Sequence, residues 1–160
     1  MKPLWVGGAL AAALAVQTAL TSLWPGVSWM LDPFIVVLVY FGLRGGEINA
    51  MLIGAAAGWI QDIQFGGEVM GLAALSKLIV GFGVGQAGDR FMLIALGPRM
   101  IVLFTAALLD SLLLEQIAGL FEIALLELTF PALVTRASLT AIVGVLLFES
   151  LEQRRKMRSL

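Results

Sequence analysis

The stretch LWVGGALAAALAVQTALTSL, Leu4 to Leu23, decides what kind of protein this is. It carries no charge and only Gln17, Thr18, Thr21 and Ser22 interrupt its apolar run, so it matches the roughly 20 residues that a helix needs to cross a bilayer. Its alanines resemble a signal-peptide cleavage region, but the apolar run continues past them, and an uncleaved membrane helix is expected.

The rest of the chain extends the pattern. Apolar residues make up 60% of the sequence and charged ones 13%, with a mean hydropathy of +0.99, whereas a soluble domain carries about 25% charged residues. Hydrocarbon is therefore the expected solvent for most side chains. Further apolar stretches at 33–43, 48–60, 72–87, 100–114 and 131–148 join 4–23 to give about six short transmembrane helices. The predicted fold is an all-α polytopic membrane bundle, a single integral domain over residues 1–160. Pro33 and Pro131 stand at helix starts, where a missing N–H removes no hydrogen bond. Residues 115–128 contain Glu122 and Glu127, at about 3 kcal/mol each near mid-bilayer, and are predicted to lie as an interfacial helix. Trp24, Pro25, Gly26 and Trp29 read as an interfacial turn.

Charge placement sets the expected orientation. With a cytoplasmic N-terminus, Lys2, Arg44, Arg90, Arg99 and the tail at 149–160 gather on one side, and Asp32, Glu68, Glu115, Glu122 and Glu127 fall towards the other. Both termini are then cytoplasmic and the membrane is expected to be an inner membrane. Arg154, Arg155, Lys156 and Arg158 act in this reading as a topology anchor, with attraction to anionic lipid a lesser role.

Composition narrows the chemistry. The chain has no Cys and no His, which removes thiolate chemistry, Cys-based metal sites and the commonest general base. Ser76 and Lys77 are adjacent and point about 100° apart on a helix, so they do not form a dyad with each other. Gly83, Gly85 and Gly88 match a dinucleotide-binding pattern by letter but lie in an apolar helix with no preceding strand. No enzyme activity, cofactor, metal or nucleic-acid partner is expected.

Intramembrane charges need partners. Lys77 sits on the order of 10 Å inside the fourth span at a rise of about 1.5 Å per residue. Asp62 and Asp110 lie at comparable depth. Lys77 is expected to pair with Asp62, Asp110 or both, with Arg136 joining them or reaching to the headgroups, as a structural cluster rather than a proton relay. Small residues mark close helix contacts: Gly54 and Gly58, Gly67 and Gly71, Gly81 and Gly85, and the ladder Ala9, Ala13. Gly42, Ala9 and Ala13 are also candidates for contacting partner helices.

Taken in order, Asp32-Pro33, the run ending Tyr40-Phe41-Gly42-Leu43, Gly54-xxx-Gly58, Gln61-Asp62, Gly66-Gly67, Gly71, Leu75-Ser76-Lys77 and Gly81 resemble the rod shape-determining protein MreD family. The resemblance covers Asp32 to about Phe91; elsewhere it extends to hydropathy and the Pro131 helix start. It implies a non-catalytic scaffold of the bacterial cell-elongation machinery, which binds MreC and links MreB filaments to the glycosyltransferase RodA and a class B penicillin-binding transpeptidase. That family is considered similar in fold to the S components of energy-coupling-factor transporters. The alternative this implies is a six-helix vitamin binder. The short outward loops show no convergent polar set that would orient a ligand.

Overall fold

A computed structural model of the chain describes residues 3–24, 30–65, 70–90, 96–121 and 130–157. They form six helices, with no strand among the described residues: α1 (Pro3–Leu23), α2 (Pro33–Gly45), α3 (Glu47–Phe65), α4 (Leu72–Arg90), α5 (Leu96–Leu120) and α6 (Phe130–Met157). Three segments are long and apolar enough to cross a membrane, Leu4–Leu23, Gly97–Leu120 and Phe130–Ser150, and Pro33–Gly45 is a shorter apolar helix.

α2 is the hub. It packs against all five other helices, and its sequence is apolar on every face, as a helix surrounded by protein should be. Phe34, Ile35, Leu38 and Val39 are fully buried. α1 sits at the edge and touches only α2 and α3 among the described residues, through a small cluster of Leu10, Ala13, Phe34 and Ala57. The main core gathers Ile35, Val36, Leu38 and Val39 with Leu103, Ala106 and Ala107 of α5 and Ala137, Ala141 and Val145 of α6.

Helices consecutive in the chain run antiparallel, so the helix ends collect in two groups. At one end, Tyr40 stacks edge-on to Phe148 at 5.0 Å and the Arg44 guanidinium lies 4.4 Å above the Tyr40 ring. Gly85 and Gly88 of α4 face Glu47 and Leu43 there. At the other end, Gln64 Nε2 donates to Thr18 Oγ1 at 2.6 Å, joining α3 to α1.

The helices outrun several predicted boundaries. α3 reaches Phe65, α4 reaches Arg90 and α6 continues to Met157 rather than stopping at residue 148. The predicted break at 114 is absent: α5 runs on through Glu115 to Leu120, while residues 122–129 lie outside the described residues. The reason is local. No proline or glycine stands between Leu114 and Ala118, and a carboxylate's insertion cost fixes where hydrocarbon ends rather than where a helix ends. Arg154, Arg155 and Lys156 lie on the helical backbone of α6, whereas Arg158, Pro25 to Trp29, Gly66, Gly67 and Glu68 fall outside the described residues.

Candidate functional site

The charge cluster begins with the length of α2. Thirteen residues at about 1.5 Å each span about 20 Å, well short of a hydrocarbon core of about 30 Å. A helix this short, packed centrally, starts below the level where longer neighbours start, and Asp32 is carried inward with it. Asp32 caps the helix in an extended conformation, its Oδ1 accepting from the N–H groups of Phe34 at 3.0 Å and Ile35 at 3.3 Å. Pro33 occupies the first helical position, as the sequence predicts.

The second oxygen of Asp32 faces the bundle. Lys77 Nζ donates to Asp32 Oδ2 at 3.0 Å and to Asp110 Oδ2 at 2.8 Å. Arg136 Nη2 reaches Asp32 Oδ2 at 3.4 Å. Ser76 Oγ donates to Asp110 Oδ1 at 2.8 Å, and the Asp32 N–H donates to Thr140 Oγ1 at 3.3 Å. Lys77, Ser76 and Thr140 are wholly inaccessible, Asp110 and Asp32 nearly so, and the Arg136 side chain is 16% exposed. Two carboxylates therefore meet two cations, and each carboxylate oxygen has a donor. One network joins α2, α4, α5 and α6.

Asp62, expected at Lys77, is not there. Its Oδ1 accepts from the N–H of Ala73 at 3.0 Å and its Oδ2 from Gly71 at 3.1 Å and Ala74 at 3.2 Å. It therefore caps α4 from the end of α3 and satisfies N–H groups that have no partner inside their own helix. Those three bonds commit both its oxygens, and Lys77 points away from them towards Asp32. The reading of depth alone missed Asp32, Ser76 and Thr140. The signal that finds Asp32 is the combination of a capping Asp-Pro pair with a helix too short to span.

The glycines separate into two kinds. A Cβ on Gly54 would collide with the Lys77 carbonyl, and one on Gly58 with the backbone of Ala73 and Ala74; at Gly81 it would lie 2.5 Å from the Ala50 oxygen and at Gly85 2.5 Å from the Glu47 Cα. These four bring the α3 and α4 backbones together. A Cβ on Gly42 would lie 3.0 Å from Val84 Cγ1 and 3.1 Å from Ala50 Cβ, and Ala13 is buried. Gly42 and Ala13 therefore face their own chain and not a partner, and Ala9 is half-buried. Gly71 has φ +103°, which suits glycine, with open space around it. Gly83, Gly85 and Gly88 lie within α4, where the helix leaves no strand-to-helix turn to cradle a pyrophosphate.

Chemically, this arrangement holds charge. The Lys77 ammonium is bonded by two carboxylates and so is not a free base for Ser76, whose hydroxyl is turned to Asp110. Ser111 donates to the Ala107 carbonyl of its own helix at 3.0 Å. An apolar surface groove of about 390 Å³ between α5 and α6, lined by Met100, Ile101, Phe104, Ser138, Ala141 and Ile142, includes none of the charged residues. Comparison with protein-family models, characterised proteins and solved structures gives no match for this chain.

Proposed function

We propose that this chain is a non-catalytic scaffold of the bacterial cell-elongation machinery, similar to the MreD family, with six spans in the inner membrane and both termini cytoplasmic. One observation carries the proposal. Seven of the residues on which the resemblance rests build the packing skeleton: Asp32 at the charge cluster, Gly54, Gly58 and Gly81 between α3 and α4, Asp62 as the α4 cap, and Ser76 and Lys77 on Asp110. A motif given over to holding helices together suits a protein whose product is a shape rather than a reaction.

The orientation has its own support. Arg44, Arg90 and Arg99 belong to the end of the bundle where α2 and α4 finish and α5 starts, and the basic residues of α6 follow on that side. An excess of Lys and Arg at one end marks the cytoplasmic face. The partners in this reading are an MreC-like protein, MreB filaments, a RodA-like glycosyltransferase and a class B transpeptidase, held in membrane lipid. Contact with partner helices falls to outward surfaces, with Trp5 and Val16 on α1 among the exposed apolar residues.

The test is co-purification in mild detergent with the MreC-like protein of the same organism, alongside reporters fused after Leu160. Retention of that protein with a cytoplasmic reporter is the expected result. A small vitamin retained in its place, or a reporter active only outside the cytoplasm, would overturn the proposal.

A further inference from the structure

The seam between α1 and α3 changes character along its length. Its inner part is apolar, with Leu10 and Ala13 of α1 against Ala57 of α3 and Phe34 of α2. One face of α1 carries Leu10, Ala13 and Gln17 at i, i+3 and i+7, and one face of α3 carries Ala57, Gln61 and Gln64 at i, i+4 and i+7. Both stripes therefore turn from apolar to amide towards the same end. Gln17 is only 4% exposed, and Gln64 reaches across to Thr18.

The amide oxygens of Gln61 and Gln64 are both buried, and among the described residues no donor reaches either. The Gln64 assignment is constrained: Thr18 Oγ1 already donates to the Leu14 carbonyl at 2.8 Å, so the Gln64 amide nitrogen must be the donor to Thr18 and the oxygen faces elsewhere. Two acceptors one turn apart in hydrocarbon are costly unless donors come to them. The residues here are neutral amides and hydroxyls, and the two glutamine oxygens are acceptors for O–H and N–H donors. α1 is also the least buried of the three long apolar helices, at 17% of its window against 28% and 33%.

We propose that the Gln17–Gln61–Gln64 end of the α1–α3 seam is a hydrated cleft, a site for water that opens on the outer face and supplies hydrogen bonds to the two glutamine oxygens. The cleft rests on the membrane placement of the bundle but not on its elongation-machinery partners. Water in such a seam makes α1 separable from α3 at that end while the apolar contacts at Leu10 and Ala13 hold the other.

The chain has no native cysteine, so single thiols report on water directly. In lipid nanodiscs, where both faces meet the reagent, a water-soluble maleimide should label Gln61→Cys and Gln64→Cys at least tenfold faster than Ala57→Cys deeper in the seam and Ile63→Cys on the exposed outer side of α3. Thiols at Gln61 and Gln64 as slow as Ala57→Cys would overturn the cleft. Equally rapid labelling of Ile63→Cys would show that the whole helix end is wet and would also overturn the cleft. Rapid labelling of Leu52→Cys, exposed in the middle of α3, would instead overturn the membrane placement and so separates the two failures. Thiol variants that do not fold are covered by Thr18→Cys, which keeps both glutamines: its labelling should fall about tenfold when Gln61→Met and Gln64→Met are added, and an unchanged rate would contradict the proposal.

Discussion

The α3–α4 pair and the α1–α3 pair are neighbouring helix contacts within one bundle, yet they are built from different materials. Between α3 and α4, four glycines let backbone touch backbone, Asp62 caps one helix from the other, and Lys77 anchors α4 to α2 and α5 through two carboxylates. Between α1 and α3 the contact is made by ordinary side chains, Leu10 and Ala13 on Ala57, with a hydrogen bond from Gln64 to Thr18. Lipid tails are as apolar as leucine, so apolar area does little to hold helices together in a membrane. The difference teaches that close backbone approach and buried polar bonds, not greasiness, decide which helices form the fixed frame and which remain available to others.

The sharpest way to break that contrast is to remove the ammonium. Lys77→Met leaves Asp110 with no cation among the described residues and Asp32 with the longer Arg136 contact as its remaining ion pair there. Breaking a buried ion pair on one side costs about 3–5 kcal/mol, and the unfolding midpoint in an SDS titration should fall accordingly. Next come the glycines at the backbone contact. Gly54→Ala or Gly58→Ala must push α3 and α4 apart, and overpacking of this kind costs about 1–3 kcal/mol. The same titration should show both less stable than the parent.

Smaller effects sharpen the picture. Asp62→Ala removes an acceptor from three N–H groups at the start of α4 and should destabilise by about 1 kcal/mol, the usual cost of losing a helix cap. Lys77→Met and Asp62→Ala should be additive to within about 0.5 kcal/mol, because the two residues share no partner. Gly83 is the counter-example among the glycines, exposed within α4 with nothing within 4 Å of where an added methyl would sit. Gly83→Ala should therefore stabilise by about 0.5–1 kcal/mol through helix propensity alone. A loss of stability there would mean that the α4 outer face is packed against something.

Much of the frame was legible before the structure, because composition and period speak directly to lipid. Six apolar segments, the helix starts at Pro33 and Pro131 and the pairing of Lys77 with a carboxylate could all be reasoned from residue types. Two features were not legible for physical reasons. The partner of Lys77 depends on where α2 begins in depth, which its short length implies but hydropathy does not state. The continuation of α5 through Glu115 was hidden because insertion cost and helix propensity are separate quantities that happen to change near the same residue. Ala13 and Gly42 were open to either an internal or an external role, since a small residue marks a close contact without saying with whom. Burial assigns both to the chain itself.

That the four charged residues form a structural lock is tested most directly by a double-mutant cycle on Lys77 and Asp110, using Lys77→Met, Asp110→Leu and both together in SDS unfolding. The double variant leaves Asp32 with Arg136 and no net charge in the cluster, and it should be more stable than Lys77→Met alone and recover most of what that single change loses. A double variant that loses the sum of the two single effects would show that the residues do not act on one another, and the lock would have to be abandoned.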